Sequence, residues 1–260
     1  MRSESEKKVL VQEQFSRTAQ EYVTSAVHAD TDALQEVVNV LAPKKTWTVL
    51  DIATGGGHVA KAVAPYVNHV VAADLTKTML QTAKDYLQSA SVHNVSYVMA
   101  DAEQLPFLDR DFDAVTCRIA AHHFPNPKLF IQESARVLHP GGHFLLVDNI
   151  VPDDCELGDF YNELEQLRDI SHVRCASVSE WTDWMQEEGL EITFAKEKIK
   201  TFQYDTWLKR MAKTQEQQER VGQWIRSADA KVKEFFRVNV ENGEVHSFIS
   251  IEWMALCVKR

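Results

Sequence analysis

The chain has 260 residues, 45% hydrophobic and 25% charged, the balance of an ordinary globular protein with enough length for a substantial core. A net charge of −10 repels a nucleic-acid backbone, and no Lys/Arg cluster reverses that locally, so polynucleotide partners are disfavoured. The apolar runs are strand-sized and the opening MRSESEKKVLVQEQF has no secretory core, which predicts a cytoplasmic protein with no stable membrane insertion.

Up to Pro43 the pattern is helical: Phe15, Ala19, Tyr22 and Val23 fall at helical spacing, and LQEVVNVL (34–41) follows. From residue 46 short apolar runs alternate with amphipathic stretches. WTVLDI (47–52), HVVAAD (69–74), VSYVMA (95–100), FDAVTCRI (112–119) and GHFLLVD (142–148) read as strands; HVAKAVAPY, KTMLQTAKDYLQ and PKLFIQESARVL read as the helices between them. Strands of this kind imply a parallel sheet with right-handed crossovers. After Asp148 come a polar helix and loop (151–176), a helix closed by Gly189 (178–189) and an alternating strand (190–200). A charged helical region (204–240) and a final strand (246–258) complete the chain. The expected architecture is one α/β domain over 1–260 with a doubly wound, mostly parallel seven-stranded sheet. Residues 1–45 supply N-terminal helices, 46–150 a ligand-binding core, and 151–260 the last two strands with a helical cap inserted before the final one. Cys117, Cys155, Cys175 and Cys257 form no CxxC pair and read as reduced thiols.

VLDIATGGGHVA (49–60) is a strand, a Gly-rich turn and a helix start. Gly55, Gly57 and Ala60 also fit the dinucleotide fingerprint GxGxxG/A, and Asp74 at the end of the second strand suits a ribose diol under either reading. Asp51 separates the two. An anion at the end of the first strand would repel a pyrophosphate; it favours a cofactor carrying a cationic ammonium and sulfonium, or else simply binds the loop amides.

VLDIATGGG resembles motif I of the class I S-adenosylmethionine-dependent methyltransferases, with Ala53 in place of the first glycine. DLTKTML (74–80), DAEQLPFLDRDFDAV (101–115) and HHFPNPKLFIQESARVLHPGGHFLLVD (122–148) resemble the family's following motifs in order. The combination, covering residues 47–150, is similar to the ubiquinone/menaquinone biosynthesis branch, and FSRTAQEY (15–22) is similar to its lid helix. The resemblance implies a Rossmann-like methyltransferase fold with S-adenosylmethionine as cofactor and S-adenosylhomocysteine as product. It implies that Ala53, Gly55 and Gly57 line the methionine portion near Asp51, that Asp74 binds the ribose, and that Leu75 and Met79 pack on adenine. It further implies that Asp101 and Ala102 read the adenine edge, that Arg118 faces the methionine carboxylate, and that Tyr22 and His28 close over the cofactor.

His123, Asp148 and His172 are the candidates for chemistry on the acceptor, with Asn149, Asp169 and Arg174 as further contacts. His122 and His123, adjacent in an extended stretch, should point to opposite sides and so not chelate one metal. Asp113 and the Pro140–Gly142 turn are expected to be structural, and Trp181, Trp184, Phe202, Trp207 and Met211 either line an apolar pocket or pack the cap. The expected partner is a small-molecule acceptor, aromatic, quinone-like or enolic, methylated on carbon or oxygen by a monomer or homodimer. An NAD(P)-dependent oxidoreductase of the short-chain type would show YxxxK, and none of the six tyrosines has a lysine four residues on. A non-catalytic scaffold that binds the same cofactor is the other alternative.

Overall fold

The computed structural model describes residues 3–24 and 29–260. The chain opens with α1 (Glu4–Thr24) and α2 (Thr31–Leu41), then alternates β1 (Thr48–Ile52), α3 (His58–Val63), β2 (His69–Asp74), α4 (Lys77–Ser89), β3 (Val95–Met99) and β4 (Phe112–Arg118). It continues through α5 (Pro127–Val137), β5 (Leu138–Ile150), α6 (Cys155–Arg168), α7 (Val178–Glu187), β6 (Leu190–Gln203) and α8 (Tyr204–Met211). Last come α9 (Gln215–Ser227), α10 (Ala230–Phe235), β7 (Asn239–Glu241) and β8 (Glu244–Lys259).

Local chemistry sets the boundaries. Asp30 caps α2 by accepting from the Asp32 and Ala33 N–H groups, and Ala42, in the left-handed region at φ 46°, ends that helix before Pro43. Ser177 and Glu180 form a reciprocal capping box at the start of α7, and Gly189 at φ 70° turns the chain into β6. Asp113 accepts from the Thr48 N–H at 2.8 Å, tying β4 to β1 as a structural aspartate should.

The sheet order is β3-β2-β1-β4-β5-β8-β6, with β1 to β5 parallel and β8 antiparallel to both β5 and β6. Alternate residues serve opposite faces. Ile52, Val115, Cys117 and Leu146 pack on α5 and α7, whereas Val49, Ala114, Leu145 and Val147 pack on α2 and α3. Trp181 of α7 is 1% exposed at the centre of the first layer, and truncating such a side chain costs about 3–5 kcal/mol. Both faces being covered explains why the strands read as apolar runs.

Two features depart from the sequence reading. An eighth strand, β7, begins at the end of the stretch expected to be helical and hairpins onto β8. The last two long strands outrun their expected ends, pairing as far as Gln203 with Ser247, and this antiparallel ribbon carries the cap. Asp101 opens a turn bridged to Gln104. The cap has its own core, in which α6, α8, α9 and α10 bury Tyr161, Leu164, Trp207, Val221, Ile225 and Phe236. All four cysteines are free thiols, three of them buried. Among the described residues no helix is long and apolar enough to cross a membrane.

Candidate functional site

The chain reverses its strand order between β1 and β4, and the carboxyl ends of the parallel strands there open into a cavity of about 1040 Å³, including its solvent-open mouth. The loop after β1 forms its floor. Ala53 sits in the left-handed region at φ 52° and Gly55 at φ 54°, while Thr54 N–H donates to Ala73 O and Gly57 N–H to Thr54 O. The departure at Ala53 is therefore a strained one: its Cβ costs about 1–2 kcal/mol in that region. Gly57, at φ 82°, lies outside the lining. A Cβ there would meet Ala83 Cβ and Leu87 Cδ1 at 3.2 Å, so this glycine serves the packing of the loop on α4. Gly56 takes the lining position that the sequence reading gave to Gly57.

Asp51 and Asp74 end adjacent strands, both buried. Asp51 accepts from the Thr54 hydroxyl at 2.7 Å and the Thr116 hydroxyl at 2.8 Å, and the Ala60 N–H also favours its ionised form. Burial, with a further push from Asp74, raises its pKa to about 6 despite those bonds. Asp74 accepts from Gly55 N–H at 3.0 Å and Thr76 N–H at 2.8 Å, and burial raises its pKa too. A carboxylate so placed keeps acceptor capacity for hydroxyl donors from the cavity. Two buried carboxylates at the mouth of a Gly loop fit a cationic ligand with a vicinal diol, and disfavour a pyrophosphate.

Leu75, Met79, Asp101, Ala102 and Arg118 also line this cavity. Asp101 accepts from Lys8 Nζ at 2.7 Å, and the same ammonium reaches Glu103 at 2.5 Å. Lys8 belongs to α1, whose Val11 and Phe15 complete the roof and whose Gln12 side chain donates to Leu75 O at 3.0 Å. Lys8 and Val11 escaped sequence reasoning, although Lys8, Val11 and Phe15 fall on one helical face. Arg118 is held below its ordinary pKa by burial, which Glu252, Asp30 and Asp51 partly offset. Tyr22 lies on α1 with its side chain outside the described residues, and His28 falls outside them altogether.

A second cavity of about 520 Å³ adjoins the first; Ile119 and His123 line both. Ile119 holds φ 54°, an outlier for a β-branched residue, with its N–H donating to Val147 O at 2.7 Å. Strain of this kind persists only where the surroundings impose it. His122, Asn149, Asp169, Phe202 and Met211 line the second cavity, together with three cations the sequence reading did not single out, Arg168, Lys200 and Arg210. Arg168 is paired with Glu165 and lies over the Trp207 ring at 4.6 Å; Lys200 is paired with Glu252. No local sequence signal marks these cations, because three separated elements, α6, β6 and α8, bring them together.

The histidines differ from expectation. Residues 121–123 form a 3₁₀ turn, not an extended stretch, so the His122 and His123 rings lie side by side, with centroids 4.3 Å apart and planes tilted by 46°. His123 Nδ1 donates to Ser171 O at 3.0 Å; burial and the neighbouring His122 lower its pKa to about 4. His122 Nδ1 lies 2.6 Å from Asp148 Oδ1, and its N–H donates to Asp148 Oδ2 at 2.9 Å. Asp148 and His172 sit behind the second cavity, outside its lining; His172 Nε2 meets Asn162 Oδ1 at 3.2 Å, and burial pushes its pKa well down. Arg174 points away, in a two-pronged pair with Glu180 at 2.7 and 2.8 Å. Among the described residues no group of three or more His, Cys, Asp or Glu is arranged to hold a metal ion. Of the apolar cap residues, Trp181, Trp184 and Trp207 pack in cores, and Phe202 and Met211 line the cavity.

Residues 50–146 match the family model described as a methyltransferase domain. The chain is 36% identical over 235 residues to the uncharacterized methyltransferase YcgJ of Bacillus subtilis, covering 90% of this chain and 93% of that one. The chain thus belongs to the class I S-adenosylmethionine-dependent methyltransferases, and S-adenosylmethionine is its cofactor. The crystal structure of YcgJ superposes with a TM-score of 0.86 at 35% identity, covering 88% of this chain and 98% of that one. A Bacillus halodurans C-125 protein assigned as a methyltransferase superposes with a TM-score of 0.85 at 42% identity, covering 87% and 98%. The ubiquinone/menaquinone biosynthesis C-methyltransferase of Brucella canis is 33% identical over 158 residues, and the match spans 58% of its length.

Proposed function

We propose that the whole chain, residues 1–260, acts as one methyltransferase domain that methylates a small molecule seated in the second cavity, on carbon or oxygen of an aromatic, quinone-like or enolic acceptor. The observation that carries this reading is that Ile119 and His123 line both cavities, so that the second cavity adjoins the one read as the cofactor site. Phe202 and Met211 give the second cavity apolar walls suited to a ring, and the name of the Brucella relative supports the same chemical class.

When bound, the cofactor supplies an electrophilic methyl group on a sulfonium. In this reading Asp51 balances its positive charge, Asp74 accepts from the ribose hydroxyls, and Asp101 with Ala102 meets the adenine edge against Leu75 and Met79. Arg118 meets the carboxylate. His123, kept neutral by its low pKa of about 4, places no like charge beside the sulfonium. α1, pinned by Lys8 and Gln12, excludes water, and holding both reactants in line supplies several kcal/mol of the barrier reduction. The same reading makes the protein a cytoplasmic monomer or homodimer without a polynucleotide or membrane partner, in keeping with its net charge of −10.

The test is a screen of phenols, hydroquinones, enols, amines and thiols for methyl transfer from labelled S-adenosylmethionine, repeated with Met211→Trp. Turnover of the hydroxylated or enolic compounds, with KM raised several-fold by Met211→Trp and cofactor affinity unchanged, is the expected result. Turnover only of amines or thiols, or a KM indifferent to the filled cavity, would refute it.

A further inference from the structure

His122 stands between a carboxylate and the second cavity. The Asp148 carboxylate is 1% exposed and holds the imidazole Nδ1 at 2.6 Å and the His122 N–H at 2.9 Å, so ring and backbone are fixed by the same group. Asp148 also accepts from Asn149 N–H at 2.7 Å, which ties it to the end of β5. With Nδ1 engaged, Nε2 is the nitrogen that His122 offers to the cavity it lines. A carboxylate that fixes the Nδ1–H tautomer and stabilises the imidazolium is the arrangement by which a histidine becomes an effective base.

We propose that His122, positioned by Asp148, is the general base of the transfer, and that its Nε2 removes the proton of an ionisable hydroxyl, phenolic or enolic, on the acceptor. The inference rests on the reading of the second cavity as the acceptor site. In the step, the O–H bond breaks and its proton passes to Nε2. The electron pair left on oxygen, or relayed through the conjugated system to carbon, forms the bond to the methyl carbon, and the pair of the broken C–S bond remains on sulfur. The His122 proton then leaves to solvent.

The neighbouring histidines are poorer candidates. His123 gives Nδ1 to Ser171 O and is held near a pKa of about 4, too weak a base to hold a hydroxyl proton. His172 lies outside the lining with its Nε2 on Asn162. For His122, burial pulls the pKa down, but the adjacent Asp148 charge and hydrogen bond outweigh it, so the net shift is upward. Glu165 of α6 and Asp169 beyond it add to that shift. The positive groups near the ring are Arg168 of α6, Lys200 of β6 and Arg210 of α8 across the cavity. Glu165 and Glu252 already balance the first two, which favours a weakly acidic hydroxyl over a full carboxylate or phosphate on the acceptor.

The experiment combines nitrogen-15 NMR of the histidine rings with kinetics of wild type, His122→Gln and Asp148→Asn, each first shown to bind S-adenosylhomocysteine by calorimetry. His122 should show the Nδ1–H tautomer and titrate above about 6.5, the value of an unperturbed histidine, and Asp148→Asn should lower that pKa. An Nε2–H tautomer, or titration below that value, overturns the dyad. With 1-naphthol, phenol and acetylacetone as probes, and aniline and thiophenol as contrasts, His122→Gln should lower kcat for the hydroxyl probes by about 100-fold or more. It should abolish the acidic limb of the kcat–pH profile and leave the affinity for S-adenosylhomocysteine within about threefold of wild type. A rate loss under about threefold, or a retained acidic limb, overturns the proposal. Failure of the underlying acceptor reading has a separate signature: wild type with cofactor bound methylates none of the hydroxyl probes whatever the imidazole spectrum, and both readings fall.

Discussion

Lowering the pH should weaken cofactor binding through one buried carboxylate. Burial raises Asp51 from 3.8 to about 6 in the free protein, with the Asp74 charge adding to the shift. A bound cofactor brings an ammonium and a sulfonium to this end of the sheet, which stabilises the ionised carboxylate and returns its pKa toward the ordinary value. Complete return is a shift of about 2 pK units, equivalent to about 3 kcal/mol of coupling between ligand and proton. The dissociation constant for S-adenosylmethionine should be flat near neutral pH and rise about tenfold by about pH 5, where most free protein holds the competing proton. Calorimetry near pH 6 in two buffers of different ionisation enthalpy should detect release of about half a proton per cofactor bound. Asp51→Asn should remove most of the slope, leaving the smaller contribution of Asp74, whose pKa burial also raises. Equal affinity at about pH 7.5 and about pH 5, or an undiminished slope in Asp51→Asn, would refute the argument. The free protein carries the opposite dependence. Because the folded-state pKa is raised, the stability this group contributes is present below 3.8 and lost as pH rises through about 6.

Three substitutions test other parts of the site and scaffold. Asp74→Ala should weaken S-adenosylmethionine binding by about 1–3 kcal/mol in calorimetry, since charge-assisted hydrogen bonds to the ribose would be lost; unchanged affinity would remove Asp74 from the site. Ala53→Gly relieves a Cβ held at φ 52° and should raise unfolding stability by about 1 kcal/mol, read as a higher denaturant midpoint at constant m. Arg168→Met leaves Glu165, 4% exposed, without its buried partner and should cost about 3–5 kcal/mol, with chemical denaturation as the check.

The resemblance to the methyltransferases and the Asp51 argument were legible because the cofactor site is local in sequence. A strand end, a Gly turn and the next strand end lie within about 25 residues, and parallel crossovers of that length place their carboxyl ends side by side. Asp51, Asp74, Asp101 and Arg118 therefore arrive at one cavity as the motif order implies. Gly57 was misplaced because two adjacent glycines look alike in sequence, and only the approach of Ala83 and Leu87 decides which one packs on a helix. The orientation of His122 and His123 was misread because Ala121–His123 is a 3₁₀ turn, whose rotation per residue differs from that of an extended segment.

The apolar patterning by itself determined a parallel sheet covered on both faces, the motif run determined the cofactor family, and the acidic net charge disfavoured a polynucleotide and left a small-molecule acceptor as the expectation. Tertiary structure decided what depends on contacts between distant segments: Lys8 on Asp101, Asp148 on His122, and the meeting of Arg168, Lys200 and Arg210 around one cavity. The division has a physical cause. Hydrogen bonding within an element and the covering of its apolar face are written in near-neighbour periodicity, whereas an acceptor pocket is closed by side chains whose separation along the chain carries no periodic signal.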